Sequence, residues 1–168
     1  MSITGELSAD GRDLVLTRSL AAAPVRVWQH LVDPALLETW YGTYTGDPAD
    51  GVVQVTMTAE PGDAAAAPFT IHACEAERLL TVSSAMGEET WMLSLAITPA
   101  GEGEERGGSR IALRHHEVPP AMVEHIGPGW EWYLDRLTGA LTGGSIPGMD
   151  VWDAEYMSLA PAYAALRG

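Results

Sequence analysis

The chain contains no lysine: all nine of its basic residues are arginine. That removes chemistry built on an ε-amine: the P-loop lysine of nucleotide sites, Schiff-base catalysis and the pyridoxal-phosphate anchor. Cysteine is almost missing as well. With Cys74 as the single cysteine there is no intrachain disulfide and no thiolate zinc site. Positive charge is scarce, and 23 acidic residues bring the formal net charge to −14. Such a surface repels nucleic acid and anionic lipid, which are bound chiefly through Lys and Arg on phosphates. No apolar run approaches the ~20 residues that cross a bilayer. The opening MSITGELSADGRD lacks the basic and apolar regions of a secretion signal, so a cytoplasmic protein is the expectation.

What the chain does have is apolar mass. Hydrophobic residues make up 46% of the 168, with six Trp and seven Met. A domain of this length buries roughly 68–70% of the surface its unfolded chain exposes. No internal repeat and no polar linker divides it, so residues 1–168 read as a single domain.

Periodicity sets out the elements. Arg12 to Leu20 alternates as a first strand, with Leu14 and Leu16 on one face. Pro24 opens a short helix striped by Val27, Trp28 and Leu31, and Asp33-Pro34 caps and starts a second. Residues 42–51 read as loop. Val52 to Ala59 is the next strand, and FTIHACEAE, LLTVSSAM, TWMLSLAIT and SRIALRHH follow as strands separated by short polar breaks, the pattern of an antiparallel meander. The stretch from Pro119 to Gly143 is helical. Trp130, Tyr133, Leu134, Leu137 and Leu141 share one face, while Glu131, Asp135 and Arg136 fall opposite. Pro128 lies within it between two glycines, and a proline inside a helix costs about 3 kcal/mol. The expectation is a kink or fresh start there, with Met122 to His125 as a separate turn that could act as a hinge. In the tail, Trp152, Tyr156, Leu159 and Tyr163 recur at helical spacing and pack back on the domain.

Reactive constellations are thin. His115 and His116 are adjacent on a strand and point to opposite faces, so they cannot chelate one ion. No HExxH, cysteine cluster or GxSxG elbow occurs, and neither a metal nor a cofactor is expected. Cys74 reads as a small buried hydrophobe. The GEGEERGG stretch joins two strands and is acidic, a hairpin loop rather than a phosphate cradle. Trp132, off the main stripe, would pack under the first helix or form a homodimer contact.

The order of elements, together with APVRVWQHLVDPALLETWY, the strand turn around CEAERLL, the ending SRIALRHH and the helix GWEWYLDRLTGAL, resembles the START-like, birch-pollen-allergen-like (SRPBCC) superfamily. Within it, the chain is similar to the group related to the activator of heat-shock-protein ATPase. The resemblance implies an α+β helix-grip fold: a curved antiparallel sheet wrapped around a long C-terminal helix, two short helices after the first strand, residues 145–168 as an aromatic tail, and an apolar cavity between sheet and helix. Fold analogy does not supply a function. On this reading the cavity binds a small, mainly apolar, lipid- or polyketide-like molecule. Trp40, Met57, Trp91, Leu93, Ile111, Leu113, Trp130, Tyr133, Leu134 and Leu137 would form its wall, with His115 and the Tyr133 hydroxyl as polar contacts. A polyketide cyclase or aromatase using His115 or Tyr133 to move protons is the first alternative. A chaperone-partner or stress-response protein that uses its acidic surface is the second.

Overall fold

The computed structural model describes the whole chain, Met1–Gly168. Eight strands form one antiparallel sheet: β1 (Gly5–Leu7), β2 (Leu14–Leu20), β3 (Thr43–Thr45), β4 (Val52–Thr56), β5 (Ala67–Glu75), β6 (Leu79–Met86), β7 (Glu89–Pro99) and β8 (Ser109–His116). Their spatial order is β1-β2-β8-β7-β6-β5-β4-β3. The alternation visible in the sequence carries the inward face: Val53 and Val55, Leu93, Leu95 and Ile97, and Ile111 and Leu113 are all buried. β1 and β3 are additions to the sequence reading, which gave the first stretch no assignment and placed the second in a loop. Each is only three residues long at a sheet edge, too short to show a period.

Between β2 and β3 the chain forms two short helices, α1 (Pro24–Val32) and α2 (Pro34–Leu37). The Asp33 side chain caps α2, accepting from the amides of Ala35 at 2.9 Å and Leu36 at 3.3 Å. The long helix α3 (Val123–Thr142) follows β8. It does not restart at Pro128. A short 3₁₀ turn, Pro120–Met122, leads in, and α3 then runs unbroken through Gly127-Pro128-Gly129. The missing proline N–H forfeits one bond near the helix start, and burial of Val123, Ile126, Trp130, Leu134, Leu137 and Leu141 outweighs it. A separate, hinged Met122–His125 turn therefore does not exist in this fold.

Gly127 serves packing instead. After α3 a chain of 3₁₀ and π-helical turns (Met149–Leu159) and α4 (Ala160–Ala165) return across the helix, burying Tyr156, Leu159 and Tyr163. A Cβ on Gly127 would lie 2.4 Å from the Tyr163 ring. Gly127→Ala is expected to destabilise the protein by about 1–3 kcal/mol through this overpacking, read as a lower midpoint of urea unfolding. An unchanged midpoint would show that the tail yields freely.

That return also reverses the polarity expected for α3. Glu131 is only 1% exposed, because the tail and the N-terminal segment cover what would otherwise be the solvent side. Glu131 accepts from the Thr4 amide at 2.6 Å and from the Tyr163 hydroxyl, and pairs with Arg18. Arg18 sits two residues beyond Leu16 on the inward face of β2 and also reaches Asp135 at 3.2 Å, which in turn accepts from the Tyr156 hydroxyl at 2.8 Å. Trp132 is buried within the protomer, where it makes a perpendicular contact with Trp152 of the tail and donates to the Gly148 carbonyl at 3.2 Å.

Candidate functional site

An apolar cavity of about 360 Å³ opens between the α1–α2 region and the β4–β7 half of the sheet. The helical side supplies Leu31, Val32 and Leu37, then Trp40 and Tyr41 from the turn after α2. Across from them stand Val53 and Val55 of β4, Phe69 and Ile71 of β5, Leu80 and Val82 of β6, Leu93 and Leu95 of β7, and Leu113 of β8. Tyr44 and Pro48 also line it, and α3 contributes Trp130 alone. No helix of the protein is long and apolar enough to cross a membrane. The concavity has the size of a small-molecule pocket.

Cys74 belongs to the same wall, and the reason is a bulge. Ile71 pairs with Val82 and Cys74 with Leu80, because the register slips between Ile71 and Ala73. One extra residue, His72, reverses the in–out alternation beyond it, so Cys74 joins Ile71 on the cavity side where strict alternation would put it opposite. Cys74 is exposed rather than buried, a free thiol at the cavity's edge.

The structure brings together only part of the expected set. Trp40, Leu93, Leu113 and Trp130 line the cavity. Ile111, Leu134 and Leu137 are core residues with no accessible surface left to line a void. Met57 lies on a second concavity beside the Glu60–Ala65 loop. Trp91 packs against the His115 ring at 4.7 Å and Trp130 at 6.4 Å, away from the wall. The α1–α2 residues and Tyr41 were missed because a helical stripe looks the same whether it meets another side chain or a void.

His115 and Tyr133 are enclosed rather than presented. His115 is 1% exposed, and its Nδ1 accepts from Trp130 Nε1 at 3.2 Å, which leaves the proton on Nε2. Burial, with help from neighbouring His116, holds its pKa down to about 4, so the ring is neutral at pH 7. Tyr133 donates to Glu60 Oε1 at 2.6 Å, and burial together with that bond pushes its pKa well up. It holds its proton and ties the Glu60 loop to α3. Neither group is among the residues that line the cavity.

One further constellation lies outside the cavity. Ser94 Oγ is 2.7 Å from His116 Nε2, and His116 Nδ1 is 3.7 Å from Asp13 Oδ2. The order resembles a nucleophilic triad, but the histidine–carboxylate distance exceeds a hydrogen bond and Thr81 Oγ1 shares the Ser94 hydroxyl at 2.9 Å. These side chains instead tie β6, β7, β8 and the entry to β2 together. No group of three or more His, Cys, Asp or Glu side chains is arranged to hold a metal ion.

The architecture recurs among solved structures. CalU16 from Micromonospora echinospora superposes with a TM-score of 0.69 at 24% identity, covering 98% of this chain and 95% of its own. The protein encoded by BPP1335 of Bordetella parapertussis gives 0.71 at 21% identity, covering 94% and 90%. Ms6760 from Mycobacterium smegmatis gives 0.65 at 18%, covering 84% and 97%. At these identities the likeness speaks for the fold alone, the α+β helix grip of the START-like proteins. No curated protein matches the sequence. The profile of the activator of Hsp90 ATPase homolog 1-like proteins matches residues 21–142, from the end of β2 to the end of α3. The chain belongs to the activator of Hsp90 ATPase homolog 1-like family.

Proposed function

We propose that this protein binds a small, mainly apolar molecule in the cavity between α1–α2 and the sheet. The observation that carries the reading is the wall itself: an apolar space of about 360 Å³ in which no lining side chain is charged. That size falls at the lower end of the roughly 300–1,000 Å³ range of small-molecule sites. The wall is largely aliphatic on the strands and aromatic at Trp40, Tyr41, Tyr44, Phe69 and Trp130, which favours a compact, flat or ring-bearing occupant over a long chain. The cyclase-type alternative draws no support from the site, since His115 and Tyr133 stand off the wall.

Cys74 gives a direct test because it is the only thiol and lies at the cavity's edge. Naphthalene-sized apolar compounds, supplied at about 100 times their Kd, are expected to add about 2.7 kcal/mol of stability. That raises Tm by roughly 5–11 °C for a chain of this size. The same occupancy should slow the reaction of Cys74 with a thiol reagent. A panel of such compounds that neither raises Tm nor protects Cys74 would overturn the proposal.

A further inference from the structure

Polar atoms are few on this wall, and nearly all are already engaged. Trp40 Nε1 donates to the His30 carbonyl at 2.9 Å, the Tyr44 hydroxyl to the Val32 carbonyl, and Trp130 Nε1 to His115. Apart from the Cys74 thiol at the edge, the side-chain group left over is the Tyr41 hydroxyl. Tyr41 lines the cavity and is 7% exposed, yet its hydroxyl makes no hydrogen bond to the protein. Its ring packs against Trp40 at 5.4 Å and Tyr133 at 5.0 Å. The hydroxyl is not sealed from solvent, so a ligand oxygen would take the place of water as its partner.

We infer that the Tyr41 hydroxyl is the polar anchor of the cavity, and that the site selects an uncharged, ring-sized apolar molecule bearing a hydrogen-bonding oxygen, such as a ketone or a phenol. This rests on the cavity being a ligand site and specifies what it takes. The charge distribution separates a neutral oxygen from a carboxylate. No arginine or histidine lines the wall to balance an anion, and the one acidic group close to Tyr41 is Glu60, hydrogen-bonded to the neighbouring Tyr133. Burial and that carboxylate both push the Tyr41 pKa up, so the phenol stays protonated and available as a donor. Free fatty acids and other carboxylates would have to bury a charge with no partner.

Three probes test this: 2-acetylnaphthalene, its hydrocarbon counterpart 2-ethylnaphthalene, and 2-naphthoate, each titrated into wild type and Tyr41→Phe at pH 8. The acetyl compound is expected to bind roughly 3- to 10-fold more weakly to Tyr41→Phe, the size of one neutral hydrogen bond, whereas the ethyl compound stays within about twofold. In wild type, 2-naphthoate is expected to bind at least roughly 100-fold more weakly than the ketone, a comparison that does not depend on the variant folding. Equal losses for ketone and hydrocarbon, no loss for the ketone, or tight binding of the naphthoate would each overturn the anchor while leaving the cavity as a ligand site. Failure of all three probes to bind wild type would overturn the cavity reading and this inference with it.

Discussion

Glu131→Ala should lower the stability of the protein by about 3 kcal/mol and its Tm by roughly 6–12 °C, the largest loss expected from a single polar substitution in the chain. The magnitude follows from what the carboxylate holds. Its removal leaves the Arg18 guanidinium, whose side chain is 15% exposed, without its buried partner, and takes the acceptor from the Thr4 amide and the Tyr163 hydroxyl. Loss of one member of a buried pair costs about 3–5 kcal/mol. The residual hydration of Arg18, and its remaining contact with Asp135 at 3.2 Å, put the value at the low end. Because the same carboxylate joins the N-terminal segment, β2, α3 and α4, the damage should concentrate at the termini. Faster amide exchange in residues 1–7 and 149–168 than in β6–β8 would show this. A Tm within a degree of wild type would mean that the network contributes nothing net.

The same group gives a pH signature. Burial pushes the Glu131 carboxyl up, but the bonds from Thr4, Tyr163 and Arg18 together hold it below its ordinary value of 4.5. A depressed carboxylate contributes stability above its unfolded value and loses it as pH falls through the folded one. His115 acts in a higher window. Its folded pKa of about 4 lies below the ordinary 6.5, so the unfolded chain takes up that proton first and stability falls as pH drops from 6.5 toward 4. Wild type should therefore lose stability in two overlapping stages. Glu131→Gln, starting from a lower Tm, should run parallel to it from pH 7 to 5 and fall less steeply below pH 4.5. Identical slopes below pH 4.5 would remove Glu131 from the acid response.

The second large effect concerns the cavity. Val82→Trp puts an indole into the space from the middle of β6, opposite Ile71. It meets a void rather than packed atoms, so Tm should be unchanged or rise by a few degrees, the behaviour of a cavity-filling substitution worth about 0.5–2 kcal/mol. Affinity for naphthalene-sized compounds should fall roughly 100-fold or more, since the apolar surface they would bury is already covered. This combination, stability kept and binding lost, separates an occupied site from a merely damaged fold. Retained affinity would place the ligand elsewhere, with the second concavity beside the Glu60–Ala65 loop as the next position to block.

Particular residues show where reading the sequence succeeded and where it stopped. Strand faces were legible because one side of an antiparallel sheet is buried and the other meets water, so Leu93, Leu95 and Ile97 or Ile111 and Leu113 announce themselves by alternation. The Asp33-Pro34 helix start was legible because its chemistry is local. Cys74 was read as buried because composition shows neither the bulge at His72 that turns it to the cavity side nor the exposed position it occupies there. Pro128 was misjudged because a local cost was weighed without the tertiary burial that exceeds it.

The sequence by itself determined the class of the molecule: an antiparallel sheet, two short helices, one long amphipathic helix and an apolar interior, with lysine-based and thiolate-metal chemistry excluded. Local patterns suffice for this because periodicity reports which residues leave water. The tertiary structure decided the rest. It showed that the polar side of α3 is buried under the tail with Glu131 at its centre, and that the void lies under α1–α2 with Tyr41 open toward it. The physical reason is that leaving water and meeting a partner are different events. A stripe of apolar residues looks the same whether it ends against packed side chains or against an empty space, and only the assembled chain distinguishes the two.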